Sequence, residues 1–170
     1  HVYIGQHTEV TMNKSDVTPS TESTQLRTKI DMTRDAENIH GSCWWPGYSV
    51  TKNYGGVADS LSAIHHNLPA LPPSYPWITT SMPDSPYELS VIKDALSWKA
   101  PERTGDIDDC VRFVVYRFDS DKSFDLEDAS KIVAITPDKT IKVKKPGYYV
   151  VTALNRVNNE SFPSEPIRVK

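Results

Sequence analysis

The sequence predicts an α+β chain built in two parts: two β/α repeats of a larger parallel unit, then an all-β sandwich. Three observations carry this. Between residues 1 and 70, short strand-like and helix-like stretches alternate with short connections. From about residue 87 onward, β-rich runs follow one another with turn residues between them. The segment 71–86 between the halves is rich in proline, which disfavours helix and central strand and reads as a semi-rigid linker.

The first strand is "VYIG", Val2–Gly5. The run "TPSTESTQLRTKIDMTRDAEN" then predicts a helix. Thr18 is a candidate cap, Pro19 fits the first helical position, and Leu26, Ile30 and Thr33 mark one narrow face. "IHGSCWW" is the second strand. "NYGGVADSLSAIHHN" predicts a second helix, capped by Asn53, with Val57, Leu61, Ile64 and Leu68 at helical spacing. Strand, helix, strand, helix with short connections implies parallel strands. Two parallel strands do not make a domain, because parallel sheets need both faces covered. Residues 1–70 therefore read as the last repeats of a larger α/β unit. The chain opens inside a strand pattern, so it is expected to be a piece of a longer protein.

In the second half, "YELSVIKDALSWKAPE" holds two strands, with Leu96 and Trp98 on one face. "CVRFVVYRF", "SKIVAIT", "TIKVKK", "GYYVVTALN" and "EPIRVK" supply five more. That is a sandwich count, and Leu96, Trp98, Val115 and Ala153 are its expected core.

Bulk properties narrow the function classes. The formal net charge of −3 gives no reason to expect nucleic acid or an anionic membrane as partner. No apolar run approaches the roughly 20 residues of a membrane span. Cys43 and Cys110 fall in different halves and are expected as free, buried thiols. His65 and His66 are adjacent on a helix and do not share a face, so no metal site is read, and no cofactor is expected. Asn13 and Asn159 begin glycosylation sequons, which also arise by chance.

Two resemblances follow from particular residues. "ALSWKAPE", "VRFVVYRF" and "KPGYYVVTALNRVNNESFPSEPIRV", with Ala153 and Asn155, resemble the second, third and last two strands of a fibronectin type III module. The resemblance covers residues 87–170. The spacing from tyrosine to alanine is shorter than usual there, so either Tyr148 or Tyr149 can be the corner tyrosine. "VYIGQ", "IHGSCWWPGYSVTKNYGGVADSL" and "ALPPSYPWI" resemble the end of the barrel in glycosyl hydrolase-like family ten. That family comprises (β/α)8-barrel glycosidases of bacterial lipoproteins, including Bacteroides-type ones, in which a fibronectin-like module follows the barrel. The resemblance implies a truncated barrel carrying its seventh and eighth strands, with the first six repeats lying upstream. It further implies a polysaccharide or peptidoglycan glycan as substrate and a periplasmic, cell-surface or secreted location, with lipid anchoring of the parent.

On this reading the candidate site lies at the C-terminal ends of the strands. "GSCWWPGY" offers Trp44, Trp45 and Tyr48 there. A tryptophan can present its flat apolar face to the C–H face of a sugar. Adjacent strand residues point oppositely, so one tryptophan is expected in the core and Trp45, beside the Pro-Gly turn, in the pocket. The alternative is that both fill the end layer of the barrel. "GQHTEV" adds Gln6 and His7 as hydrogen-bonding groups for sugar hydroxyls, and Glu9 as the one strand-end carboxylate, with Asp16 further along the loop. Glycoside hydrolysis ordinarily needs two carboxyl groups. Glu9 is thus either a catalytic carboxylate or a solvated loop glutamate. "NYGG" before a helix is either an anion cradle or a helix-entry turn.

The expectation is a fragment of a glycoside hydrolase, inactive by itself. The alternative is a non-catalytic carbohydrate-binding or protein-interaction and spacer module. Open sheet edges and uncovered apolar surface in 1–70 predict self-association.

Overall fold

The strand β1 (Tyr3–His7) pairs in parallel with β2 (Gly41–Trp45), with Tyr3 opposite Gly41 and His7 opposite Trp45. This pair belongs to the first of two compact units in the computed structural model, His1–Leu68; the second is Pro69–Lys170. The structure describes residues 1–12 and 24–170. The sequon at Asn13, Asp16, the cap Thr18 and Pro19 lie outside the described residues. The whole is mixed α/β, mostly sheet with few helices.

In the first unit β1 runs directly into the single turn α1 (Thr8–Thr11), whose N-cap is His7. Helix α2 (Thr24–Asp35) buries Leu26, Ile30 and Thr33, the narrow face its spacing predicts. Leu26 and Ile30 join Met12 and Val57 in a small core, and Trp44 packs against it. The turn α3 (Gly47–Thr51) follows β2, then a 3₁₀ turn at Tyr54–Gly56 and the helix α4 (Val57–Ser60). Gly55 sits at φ +60°, and a Cβ there would stand 3.0 Å from the Cβ of Met12, so the approach requires glycine.

The second predicted helix differs from expectation. After one α turn it widens into a π turn at Leu61–His65, closed by His66 N–H donating to Leu61 O. The guanidinium of Arg34 also donates to His65 O. The wider turn breaks the helical spacing. Leu61 stays partly buried, His65 is buried, and Ile64 and Leu68 are exposed.

The second unit is a sandwich of a three-stranded and a four-stranded sheet. Strands β3 (Tyr87–Ile92), β4 (Ala95–Lys99) and β7 (Thr140–Lys142) form one sheet in the order β3-β4-β7. Strands β5 (Arg112–Phe118), β6 (Ile132–Thr136), β8 (Gly147–Leu154) and β9 (Ile167–Val169) form the other, in the order β6-β5-β8-β9. All pairings are antiparallel. Between the sheets lie Leu96, Trp98, Phe113, Val115, Tyr149, Val151 and Ala153. The opposite face of β5 and β8 is apolar as well. Val114, Tyr116, Phe118, Val150 and Leu154 form a second cluster, covered by Phe124, Leu126 and Leu71.

Residues 71–86, expected as a linker, lie along this sandwich. Asn158 donates its amide to Pro73 O, and Asn159 donates to Thr79 O and Ser81 O. Asn155 is fully buried: it donates to Ser81 O and accepts from the N–H groups of Val157 and Asn159. Asn159 is itself buried and engaged through its amide nitrogen, so its sequon is a structural element of the folded chain.

The corner tyrosine is Tyr149. Its hydroxyl donates to Lys145 O at 2.7 Å while its ring stands in the core. Gly147 makes this corner possible: φ is +147°, and a Cβ would lie 2.7 Å from Phe118 O. Beyond β9 the edge of β8 is closed by serines. Ser161 Oγ and Ser164 Oγ accept from the N–H groups of Ala153 and Val151, where the Pro-containing segment has no regular ladder. Cys43 is exposed, not buried as expected, because it lies on the open face of β2; Cys110 is half-buried, and both are free thiols. No helix is long and apolar enough to cross a membrane, among the described residues.

Trp98 is 4% exposed and meets Phe113 edge-on at 5.4 Å. Trp98→Ala should cost about 3–5 kcal/mol, and Tyr149→Phe about 1 kcal/mol. Chemical denaturation of the two variants checks both; a Trp98→Ala midpoint equal to wild type would place the indole outside the core.

Candidate strand-end site

Parallel pairing brings the ends of β1 and β2 side by side. Residues directly opposite in a parallel register share a face, and faces alternate along each strand. Gln6 opposite Trp44 therefore faces one way, and His7 opposite Trp45 the other. Burial separates the two faces. Gln6 is buried and Trp44 packs on the helical core, whereas Trp45 is 54% exposed. Gln6 and Trp44 do not join the open face: Gln6 is buried on the opposite face of β1, and Trp44 packs on the helical core.

On the open face the imidazole of His7 meets the indole of Trp45 edge-on, with ring centroids 4.5 Å apart. His7 Nδ1 accepts from Val10 N–H at 3.4 Å, which caps α1. An accepting Nδ1 leaves Nε2 to carry the proton, so His7 presents a donor outward. The adjoining rung is small, Gly5 opposite Cys43, and a Cβ at Gly5 would meet nothing within 4 Å. Among the described residues the His7–Trp45 pair thus borders open space.

Glu9 is not a solvated loop residue. It sits in the first turn of α1, and its Oε1 accepts from Tyr48 Oη at 2.8 Å and Ser49 Oγ at 2.7 Å. Ser49 is buried and Tyr48 exposed. The segment after β2 turns at once into α3, so both hydroxyls come from α3. The bonds from Ser49 and Tyr48, together with the nearby His7, hold the Glu9 carboxyl below its ordinary value. The same bond raises the Tyr48 hydroxyl above its ordinary value and keeps it a donor. Lys52 lies 5.6 Å from the centre of the Tyr48 ring. Glu9 is therefore an anion at neutral pH. It can accept hydrogen bonds or attack, but it cannot serve there as a proton donor. The hydrogen bonds of the cluster converge on this one carboxylate; among the described residues a second carboxyl group does not bond to it.

Ser49 is a site residue that sequence reading misses. Its signal was a hydroxyl two residues after the Pro-Gly turn, and such serines are too common to single out. The "NYGG" segment resolves as a helix entry. Asn53 Oδ1 accepts from the N–H groups of Ala58 and Asp59, and Asn53 Nδ2 donates to Asp59, so those amides are already satisfied. Among the described residues there is no group of three or more His, Cys, Asp or Glu arranged to hold a metal ion.

The chain matches no protein-family profile. It is 27% identical over 172 residues to "Glycosyl hydrolase YngK" of Bacillus subtilis (strain 168), which covers 97% of this chain and 34% of that protein. The chain thus spans about a third of the curated relative's length. Among solved structures, a set of consecutive titin domains matches with a TM-score of 0.37 and 20% identity, over 52% of this chain and 32% of that one. The titin kinase with its flanking domains matches at 0.38 and 22%, over 53% of this chain and 18% of that one.

Glu9 should titrate below an ordinary glutamate, and Ser49→Ala should move it upward. A carboxyl-carbon NMR titration reads both. Because the folded value is depressed, the stabilisation from this contact is present above the unfolded glutamate value and is lost as pH falls through the folded one. A Glu9 shift indifferent to Ser49→Ala would remove Ser49 as its main hydrogen-bond donor.

Proposed function

We propose that this chain is the C-terminal part of a glycoside hydrolase and supplies one wall of its glycan site. In this reading β1 and β2 are the seventh and eighth strands of a (β/α)8 barrel, and the sandwich is a fibronectin type III-like module, 87–170. The single observation that carries it is the convergence of an exposed tryptophan, a histidine donor and an ionised glutamate at the C-terminal ends of two parallel strands. That is the end of a parallel barrel where substrate binds. The relative named a glycosyl hydrolase, matched along nearly the whole chain, supports the same reading.

The roles follow from the chemistry. Trp45 stacks on the C–H face of a sugar, His7 Nε2–H donates to a ring hydroxyl, and Glu9 accepts from another. Tyr48 and Ser49 hold Glu9 ionised and aimed. An ionised Glu9 suits a base, a nucleophile or a binding carboxylate. The proton donor that glycoside hydrolysis needs comes from another strand of the parent protein. The chain alone therefore binds glycan without cleaving it. The parent acts on polysaccharide or peptidoglycan glycan at the cell surface or in the periplasm, with lipid anchoring as the means of retention.

A second reading, a non-catalytic carbohydrate-binding or spacer module, is favoured by the presence of one carboxylate in the cluster among the described residues. Activity of the full parent protein against the same glycans separates the two.

Titrating the chain with glycan fragments should quench tryptophan fluorescence, and Trp45→Ala should abolish the change and weaken binding by about tenfold or more. Turnover of any glycan by this chain would contradict its proposed inactivity. Self-association through residues 1–68 is also expected, since β1 and β2 form a two-stranded sheet and Val2, Tyr3 and Val10 are exposed. A strict monomer in sedimentation at high concentration would overturn that point.

A further inference from the structure

The sandwich carries a cleft whose chemistry differs from that of the strand-end cluster. This cleft of about 400 Å³ is lined by Arg117, Lys131, Lys142, Lys144 and Lys145, and among the described residues no carboxylate lines it. The chain as a whole is acidic, with a net charge of −3, so this concentration of cations is local. Its origin is the run "KVKK", where β7 ends and the corner begins. Lys142, Lys144 and Lys145 are exposed, and none has a carboxylate partner among the described residues. Arg117 is held in place: its Nε donates to Pro146 O at 2.8 Å, and its Nη2 pairs with Asp119 at 2.6 Å. Lys131 lies 3.6 Å from Asp128.

Ile132, Val133 and Val143 also line the cleft, and of these Val133 is exposed. A neighbouring cleft of about 420 Å³ shares Arg117 and adds Arg168 and Lys170, with Asp119 also on its wall. Arg117 and Lys131 have counter-charges in Asp119 and Asp128, whereas among the described residues Lys142, Lys144 and Lys145 do not, and an anion seated beside these three lysines is attracted to them. Each volume lies in the range of small-ligand sites. Two such sites joined by one arginine fit repeating units better than a single ion. The concavity suits a sugar ring more than a flat lipid surface.

We propose that this end of the sandwich binds an acidic polysaccharide. One sugar of the polymer lays its C–H face on the exposed Val133, and its carboxylate pairs with the lysines. The choice of a glycan among polyanions rests on the glycoside hydrolase reading above. The surface would hold the chain on a charged polymer, separately from the strand-end cluster.

The test uses the full 170-residue chain and polygalacturonate as probe, with binding followed by calorimetry at low and high salt. Neutral dextran, inorganic polyphosphate and anionic lipid vesicles are the comparison arms. Polygalacturonate should bind, and added salt should weaken it. The triple variant Lys142→Glu, Lys144→Glu, Lys145→Glu should lose about tenfold or more in affinity. A charge-matched variant away from the cleft, Lys122→Glu, Lys139→Glu, Arg156→Glu, should change it less than about threefold. The lysine triple variant should leave the tryptophan-fluorescence response to neutral glycan fragments unchanged, so loss of the strand-end reading and loss of this one are told apart. The proposal is overturned if polygalacturonate does not bind or if both triple variants lose equally. Tighter binding to polyphosphate or to vesicles overturns it too.

Discussion

The parallel register of β1 and β2 is the constraint from which the candidate site follows. Pairing Tyr3 with Gly41 places His7 beside Trp45 and Gln6 beside Trp44. A shift of one residue would exchange the faces, bringing Trp45 toward the helical core and exposing Trp44. The register is held by the burial of Trp44 against Met12, Leu26, Ile30 and Val57. The apolar half of the tryptophan pair thus anchors the strand, and its neighbour is left at the open face. The hydroxyls of α3 reach Glu9 because β2 ends at Trp45 and the chain turns immediately.

In the sandwich an equivalent role falls to the pairing of β5 with β8, seven residues long, from Arg112 opposite Leu154 to Phe118 opposite Tyr148. Both faces of this pair are buried, one between the sheets and one under Phe124, Leu126 and Leu71. That double burial explains why residues 71–86 lie on the sandwich: the outer face of β5 and β8 needs cover, and the amides of Asn155, Asn158 and Asn159 hold part of that cover in place. It also explains the near-continuous apolar runs "FVVY" and "YYVV", which lack the alternation of a half-solvated strand. The charged end of the sandwich, from Lys142 to Lys145, lies where the chain leaves β7 for the tyrosine corner.

The order β1, α2, β2, the seven β runs of the sandwich and the core residues Leu96, Trp98, Val115 and Ala153 were legible because periodicity and turn residues are local properties, while the turns α1 and α3 were not read. The opposite fates of Trp44 and Trp45 were legible for the same reason, since strand alternation needs no partner. Gln6 was not: which face is buried depends on where the helices pack. The π turn at Leu61–His65 escaped because one inserted residue leaves the composition of a helix unchanged while shifting its face. Asn159 matched a glycosylation sequon by spelling, yet its amide is committed to Thr79 and Ser81, far away in sequence.

By itself the sequence determined which stretches are strands, which residues are apolar enough to be core, and that a carboxylate, an imidazole and an indole lie near strand ends. Tertiary structure alone decided that Ser49 and Tyr48 hold Glu9, since the partners are about 40 residues apart and meet only through parallel pairing. It likewise decided that Tyr149, rather than Tyr148, is the corner tyrosine. The two share a sequence context, and only the ring that points between the sheets can bring its hydroxyl back to Lys145 O.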